Sequence, residues 1–489
     1  MRRAPAWAAL PLLAFAACTT LRDTWRPEGD GGWSAAKRRA EVSALAPVAG
    51  VVDPLAAPSP APPPAAMRYD LRAALAEATR ANRPLQIADR QVAIARQRAL
   101  QARGLLFPTT TAQARYTAYS DVQSTTVDLP PGILPPGTQP FNVVLSDSSA
   151  ATVNAQIVLP LDLSGELRQT LAAAQAGYRG EAARRWATAL EQDLDVTRAY
   201  FDRLAALRLR EVNEQTIALY RRQLDDAEDR FNAGRLTKNE VLEVQVVLRN
   251  AEQRKRQNDL AVDRSRWAFN EAIGVAIDAP TEVVDLRTRP ELPPVDETLR
   301  LAQQKNPMLT ALFERQRQLE AETSALERSR FPHFEGGGAM NYSSSDLFTP
   351  NQIGSGFVGF RWDLGTDTQR EARIGAARLA ADANRIELEA ELRQLEQALR
   401  ATQQAAEERL DALDTAEVAV GQAEENLRIR QQQFGAGRAQ TRDVLDAQRL
   451  LTEQRAVLAT ALYEAQTRRA ELQQLMGEPF DALLADRKE

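Results

Sequence analysis

Apolar and polar residues alternate along four segments of the chain, as they do in β-strands that present two different faces. In residues 151–161 the odd-numbered positions from 153 onward are apolar, and positions 152, 154 and 156 are polar. Residues 112–118 alternate in the same way, and residues 334–343 and 353–364 repeat the pattern less regularly. We expect strands about ten residues long here, the length that a strand of a membrane barrel needs. The pattern predicts two hairpins of such strands.

Long helical runs surround these hairpins. No proline occurs in residues 166–231, a stretch that would be about 100 Å long as a straight helix. Shorter helices are predicted at 82–106 and 306–330, each ending at Phe-Pro, and at 237–274 and 440–477. The lengths suggest that the two short helices of each half stack end to end beside the long one. Apolar residues spaced three and four apart mark the coiled-coil seams: Ile217, Tyr220, Leu224, Ala227 and Phe231 in the first half, and Val420, Ala423, Leu427 and Phe434 in the second.

The chain repeats itself. FNAGRLTKNEVLEVQVVL at 231–248 returns as FGAGRAQTRDVLDAQRLL at 434–451, and the Asn-Arg-Pro and Phe-Pro of 74–108 return as Asn-Pro and Phe-Pro in 298–332. Self-similarity at this distance indicates two tandem halves of about 200 residues. We assign residues 1–17 to a leader, 18–67 to an N-terminal linker, 68–280 to the first repeat, and 281–489 to the second repeat and the C-terminal tail.

The N-terminus has the features of a secretory signal. Arg2 and Arg3 precede an apolar run that is too short to span a bilayer, and small residues lead to Cys18, the sole cysteine. Phe15-Ala16-Ala17-Cys18 resembles a bacterial lipobox, which implies a diacylglycerol and a fatty acyl group on Cys18. A lone cysteine beside a simple signal peptide is the alternative. The Pro/Ala-rich residues 46–66 indicate an extended linker.

Composition narrows the class of protein. Charged residues make up 26% of the chain, aromatic residues only 6%, and the mean hydropathy is -0.40, values typical of long helices rather than of a large compact core. With one His, one Cys and five Met, the chain cannot build a metal cluster. No carboxylate pair is combined with a nucleophile or a base, so we expect neither an enzyme nor a cofactor. Nothing indicates nucleic-acid binding.

Four strands in one chain cannot close a barrel, and an open sheet edge in hydrocarbon would leave backbone groups without partners. Several copies must therefore pool their strands. Two copies would supply eight strands and three would supply twelve, enough for a lumen. The predicted fold class is mainly α with membrane β: a long coiled-coil α-barrel plus four strands per chain, pooled as a 12-stranded β-barrel in a trimer.

The chain resembles the outer-membrane factor family in four features: the motif FxAGR followed by DVLxAQ at 434–448, its copy at 231–245, the paired Asn-(Arg)-Pro and Phe-Pro helix ends, and Cys18. Members of this family are the TolC- and OprM-like efflux channels, and Cys18 is similar to their lipoprotein branch. The resemblance implies a homotrimer in the outer membrane, lipid-anchored, with a long periplasmic domain. It also implies a passive exit duct for small molecules such as drugs, handed over by an inner-membrane RND transporter and a periplasmic adaptor.

The two Ala-Gly-Arg turns are the candidate functional site. Gly234 and Gly437 supply the positive φ that ends a helix, and Thr237 or Thr441 lies where the next helix can be capped. The resemblance places both turns at the periplasmic tip, where they contact the adaptor and line a closed aperture. The implied adaptor-contact residues are Gly234, Arg235, Leu236, Gly437, Arg438 and Ala439.

The resemblance also matches Asp443 and Asp446 to aperture acids, with Glu240 and Glu243 as their counterparts in the first repeat. Acids three residues apart share a helix face, and a threefold axis makes each into a ring that attracts cations. Arg235, Arg438 and Arg442 are placed to neutralise such a ring. A solvated helix face is the alternative for the acids.

Other functions remain open at this stage. Protein secretion by a type I system and metal-ion export use similar ducts. A periplasmic adaptor would have one coiled-coil hairpin and a β-rich body, whereas this chain duplicates both hairpin and strands. A structural periplasmic coiled-coil lipoprotein would lack the four barrel-length strands.

Overall fold

The computed structural model describes residues 67–127, 141–145, 147–345, 350–364 and 367–480. The predicted leader, Cys18 and the linker up to residue 66 lie outside these ranges. The first half contains β1 (Met67–Tyr69), α1 (Leu71–Ala81), α2 (Arg83–Gly104), β2 (Thr109–Ala118), β3 (Ser124–Val127), β4 (Phe141–Val144), β5 (Ser149–Leu161), α3 (Glu166–Asn232) and α4 (Lys238–Ile273). The second contains β6 (Thr281–Val283), α5 (Val295–Lys305), α6 (Pro307–Arg328), β7 (His333–Ser343), β8 (Gln352–Arg361), α7 (Asp367–Gly435) and α8 (Thr441–Met476).

The predicted tandem repeat is confirmed by the order of these elements. In each half a short helix leads to a 22-residue helix, a β-hairpin, a helix of 67 or 69 residues and a 36-residue helix. The initial short helices α1 and α5 were not predicted. They are separated from α2 and α6 by Asn82 and Asn306, whose extended backbone ends one helix while the side chain caps the next.

The four long strands form one antiparallel sheet in the order β2-β5-β7-β8. Residues directly opposite each other on neighbouring strands share a face of the sheet, and the two faces differ in polarity. Leu159, Gly336 and Val358 form one cross-strand row, and Gln113, Asn154 and Asn341 form a row on the other face. The apolar face is open, with Val358 82% exposed. The hairpins predicted from alternation are therefore confirmed, and among the described strands β2 and β8 are the free edges of the sheet.

The helices form four parallel columns. α2 and α4 pack along one side of α3, α6 and α8 pack along its other side, and α7 packs against α6 and α8. Asp89 on α2 pairs with Arg185 on α3 at 2.8 Å, and Glu314 on α6 pairs with Arg179 on α3 at 2.8 Å. The predicted stacking of short helices beside a long one is thus confirmed.

Glycines make the close joins within the stacked columns. Gly274 ends α4 at φ 77° against Ala81 of α1, and Gly477 ends α8 at φ 76° against the backbone of Lys305 in α5. A Cβ at either position would collide with its neighbour. None of the helices in the described part of the chain combines the length and apolar character needed to cross a lipid bilayer.

A short parallel ladder joins the two halves. β1 pairs with β6, with Met67 opposite Thr281 and Tyr69 opposite Val283. It covers an apolar core in which Tyr200, Phe201 and Phe269 are at most 1% exposed. This ladder was not predicted, because three residues are too few to show an alternation and the partners lie far apart in sequence.

Candidate functional site

The first Ala-Gly-Arg turn is built around a complete capping box. Gly234 has a φ of 72°, which ends α3. The Thr237 hydroxyl accepts a hydrogen bond from the Glu240 backbone N–H at 3.4 Å, and Glu240 Oε2 accepts one from the Thr237 backbone N–H at 2.8 Å. These two bonds satisfy backbone donors that the first turn of α4 would otherwise leave open.

The second turn has the same backbone but different capping chemistry. Gly437 has a φ of 67°, and the N-cap of α8 is Gln440 rather than Thr441. The prediction of Thr441 as a cap was wrong because the repeat offset aligns Gln440, not Thr441, with Thr237. Asp443 Oδ2 accepts from the Gln440 backbone N–H at 2.9 Å. Thr441 is instead the first helical residue and is 1% exposed.

Polar contacts connect the two coiled coils near these turns. The Thr441 hydroxyl donates to Glu240 Oε1 at 3.3 Å, and the Arg230 guanidinium lies 4.7 Å from the centre of the Phe434 ring. Further along, Gln448 Nε2 donates to Gln223 Oε1 at 3.4 Å, and the hydroxyls of Thr216 and Thr452 lie 3.2 Å apart. The interface between α3 and α8 is therefore bridged by hydrogen bonds.

Each coiled coil, by contrast, is held together by an apolar seam. In the α3–α4 pair, Ile217, Tyr220, Val244 and Leu248 are buried together. In the α7–α8 pair, Leu427, Val444 and Leu451 are buried with their neighbours. Apolar burial stabilises each pair by more than a few neutral hydrogen bonds stabilise the contact between pairs. Leu445 of α8 is also buried in the α3–α4 cluster, so the contact between the pairs combines one apolar side chain with the polar contacts. The two pairs are thus two firm units joined by a weaker, largely polar seam.

The four predicted aperture acids have different environments. Hydrogen bonds from the Thr237 backbone N–H, and then from the Thr237 and Thr441 hydroxyls, lower the pKa of Glu240. Glu243 accepts from Asn239 at 3.4 Å. Asp443 accepts the hydrogen bond from the Gln440 backbone N–H that caps α8, and the side chain of Asp446 is 59% exposed. Asp446 is therefore the acid most available to an ion in solution.

The three predicted neutralising arginines also differ. Arg442 lies 3.9 Å from Asp446 on the same helix. Arg235 and Arg438 are exposed and make no ion pair with any residue in the described ranges of one chain. Leu236 and Ala439, predicted to contact an adaptor, are half-buried at the base of their turns. In those same ranges no group of His, Cys, Asp and Glu side chains is placed to hold a metal ion.

A strap between the two halves, residues 284–294, crosses three helices at mid-height and was not predicted. Asp285 pairs with Arg208 of α3 and accepts from the Tyr463 hydroxyl of α8 at 2.7 Å. Arg289 pairs with Asp414 of α7 at 2.7 Å. Burial, together with the bond to Asp285, raises the pKa of Tyr463 to about 12. The only sequence signal was a Pro- and Arg-rich link, which does not specify partners.

The geometry is that of long paired helices with a sheet at one end and two turns at the other. The sequence model described as outer membrane efflux protein matches residues 74–275 and 298–478. The chain belongs to the outer membrane efflux protein family. No curated protein sequence matches this family member.

Solved structures share the fold of this outer membrane efflux protein. VceC from Vibrio cholerae is 17% identical with a TM-score of 0.69, over 84% of this chain and 96% of VceC. The CmeC channel of Campylobacter jejuni is 14% identical with a TM-score of 0.68, over 85% and 88%. The open state of MtrE from Neisseria gonorrhoeae is 20% identical with a TM-score of 0.64, over 83% and 89%. The mainly helical, TolC-like fold class predicted from the sequence is confirmed.

Proposed function

We propose that this chain is the trimeric outer-membrane channel of a tripartite efflux system. It serves as a passive duct, without catalysis, for small molecules such as drugs that an inner-membrane RND pump and a periplasmic adaptor deliver. The observation that carries the proposal is the pair of turns at the far end of helices about 100 Å long, with a two-faced sheet at the opposite end. Family membership supports the channel class.

The free edges of the sheet support a trimer. β2 and β8 each leave one row of backbone groups without a partner within the described residues of one chain. In hydrocarbon each such group costs several kcal/mol, so the edges must pair with other copies. Three copies supply twelve strands, and the apolar face with Val358 then contacts lipid while the face with Asn154 and Asn341 lines the lumen.

The four strands also separate this proposal from a structural coiled-coil lipoprotein, for which no sheet is needed. Lipid attachment at Cys18 is part of the proposal and rests on the lipobox-like sequence alone. Palmitate labelling of cells expressing the full chain tests it, with Cys18→Ser as the control. Label on the wild type and none on the variant is expected, and an unlabelled wild type would contradict the anchor.

The proposed gate lies at the two turns. We expect the purified full chain to form cation-selective channels in planar bilayers that multivalent cations block at the acidic aperture. Asp443→Asn with Asp446→Asn should weaken that block about tenfold, whereas Glu228→Gln with Asp229→Asn, on exposed positions of the other coil, should leave it unchanged. Unchanged cation block in the Asp443→Asn, Asp446→Asn variant would contradict the assignment of these two acids to the aperture. Absence of any channel activity would contradict the proposed function.

The cargo is tested in cells. Deletion of the chain should sensitise the bacterium to several chemically different drugs and should be rescued by the wild-type chain. Selective loss of copper or silver resistance would instead identify a metal-ion duct. Loss of a single secreted protein with unchanged drug resistance would identify type I secretion.

A further inference from the structure

An apolar patch interrupts the polar face of the sheet. Ile353 and Phe357 of β8 lie on this face, because Ile353 is directly opposite Asn341 and Phe357 is directly opposite Gly337. Ile353 is 55% exposed and Phe357 is half-buried. The neighbouring side chains on the face are polar and include those of Thr111, Gln113, Asn154, Gln156 and Ser355. An exposed apolar patch with a polar rim is typical of a binding surface.

The Phe357 ring lies against the backbone of the neighbouring strand at Gly337. A Cβ on Gly337 would be 2.8 Å from Phe357 Cζ and 3.0 Å from Phe357 Cε1, and it would also collide with the carbonyl oxygen of Ile157. Only glycine at this position therefore lets the ring come so close. Val158 of β5 continues the same cross-strand row on the other side of Gly337, so three strands contribute to one apolar surface.

A carboxylate stands beside this ring. Glu335 of β7 lies on the same face as Phe357 and is its diagonal neighbour across the strand pair. Glu335 is exposed and makes no ion pair within the described ranges of one chain. The basic residues of the next row toward the helices are His333, whose Nδ1 lies 3.4 Å from Glu166 Oε2, and Arg361, which does not pair with Glu335. The negative charge of Glu335 therefore remains available to a ligand.

An aromatic ring, an apolar surface and an unpaired carboxylate together suit an organic cation. A positive charge within about 6 Å of a ring centre is attracted by the ring, and apolar groups around the charge gain from burial against the patch. Diagonal neighbours in a sheet are about 7–8 Å apart, so one small molecule can contact both Phe357 and Glu335. A neutral apolar molecule would gain nothing from Glu335, and a strongly hydrated metal ion would gain little from Ile353 and Phe357.

We propose that Ile353, Phe357 and Glu335 form a binding site for hydrophobic organic cations in the lumen of the barrel. Phe357 lies four positions, or about 13 Å, from the end of β8 that leads to α7, so cargo leaving the helical tube reaches the site early in the barrel. The inference rests on the proposed function, which places the polar face of the sheet inward. Each subunit supplies one site, and the sites attract such cations without closing the duct.

Two probes of the same shape and opposite charge test the site. The full chain is recorded in planar bilayers, and tetraphenylphosphonium or tetraphenylborate is added on the side of the barrel that faces away from the helices. Tetraphenylphosphonium should interrupt the single-channel current, with a half-blocking concentration at least about fivefold below that of tetraphenylborate, because only the cation is attracted by both the ring and the carboxylate. Equal block by the two probes would overturn the assignment to cations.

Substitutions separate binding from a structural role of the ring. Phe357→Leu keeps an apolar cover on Gly337 but removes the aromatic face, and Glu335→Gln removes the charge. Each should raise the half-blocking concentration of tetraphenylphosphonium about threefold, and the two together about tenfold. Glu335→Asp keeps the charge and should stay within about twofold of wild type. The matched control, Phe360→Leu, makes the same change on the opposite face of β8, where Phe360 is 65% exposed, and should leave the block unchanged.

The outcomes separate this inference from the proposed function. Unchanged block in Phe357→Leu and Glu335→Gln, with wild-type conductance in the absence of the probe, would overturn the inference and leave the channel intact. Asp443→Asn with Asp446→Asn should not change the block by tetraphenylphosphonium; if it weakened that block as much as the patch variants, the cation would bind at the turns and the inference would fail. A chain that forms no channel would overturn the proposed function and, with it, the lumen that the site requires.

Discussion

The polar seam between the two coiled coils predicts how to open the channel. Two contacts near the turns can be removed with little change of shape: Thr441→Val deletes the hydroxyl that donates to Glu240, and Arg230→Met deletes the cation over the Phe434 ring. The apolar seams within each pair stay intact. We therefore expect the double variant to fold and trimerise normally while the α7–α8 pair separates more easily from the α3–α4 pair.

The magnitude follows from the two contacts. A hydrogen bond of the Thr441 type contributes about 1 kcal/mol, and a partly exposed cation–π contact contributes about 0.5–1 kcal/mol. The loss is then about 1.5–2 kcal/mol per subunit. If three subunits open together, the closed state loses about 5 kcal/mol, which changes the ratio of open to closed channels by about 10³–10⁴.

Single-channel recording in planar bilayers measures this change directly. The double variant should show longer open times and higher mean conductance than wild type. A matched control is Arg428→Met with Thr460→Val. Among the residues that the structure describes, Arg428 pairs only with Glu425 and Thr460 donates only to carbonyls, and these partners lie on their own helices. If the double variant and the control conducted alike, the seam would not hold the closed state and the reasoning would fail.

Three further predictions concern the helix ends and the strap, each read by circular dichroism melting. Thr237→Ala should lower the free energy of unfolding by about 1 kcal/mol because it breaks the capping box. Hydrogen bonds hold the pKa of Glu240 below its ordinary 4.5, so the stabilisation by Glu240 is present at neutral pH and is lost as the pH falls through that lowered value. An equal cost of Thr237→Ala at pH 3 and at pH 7 would contradict this. Gly477→Ala should lower the melting temperature more than Gly437→Ala. Both glycines have a positive φ, but only a methyl group at position 477 would collide with backbone atoms. A larger loss for Gly437→Ala would contradict this. Tyr463→Phe should cost about 1 kcal/mol through the lost bond to Asp285, and an unchanged melting temperature would contradict the strap contact.

Periodicity was enough to predict the large elements. The long helix expected over 166–231 is observed as Glu166–Asn232, and the strand expected over 334–343 is observed as His333–Ser343. These elements are long and their apolar residues recur with one period, so each residue adds to the same signal. The repeat added a second copy of each of these large elements.

The mid-height strap could not be predicted in the same way. Its contacts depend on single residues such as Asp285 and Arg289 meeting partners that lie on other helices, far away in the sequence. Such pairs leave no periodic pattern in one sequence. The short helices α1 and α5 leave one signal: Asn-Arg-Pro at 82–84 and Asn-Pro at 306–307 mark the start of the next helix. A capping Asn followed by Pro does not show by itself that another helix precedes it.

The candidate site shows how a duplicated sequence yields two unequal turns. The position after the N-cap is Lys238 in the first turn and Thr441 in the second; Lys238 is exposed, whereas Thr441 is buried against the Glu240 carboxylate. Glu240 therefore serves two purposes, capping α4 and joining the two coiled coils. Within the described residues of one chain, its counterpart Asp443 caps α8 and makes no such link.

This difference assigns different consequences to the two acids. Loss of the Glu240 side chain removes a cap and a link between the coils at once, so it should both destabilise α4 and favour opening. Loss of Asp443 should destabilise α8 without weakening the seam. Glu240→Gln removes the charge and replaces one of the two acceptor oxygens by an NH2 donor, from which the Thr441 hydroxyl can accept a hydrogen bond. A variant that still holds the channel closed would show that the charge is not needed to join the coils. Longer open times in Glu240→Gln, and none in Asp443→Asn, would show instead that the charge itself strengthens the link.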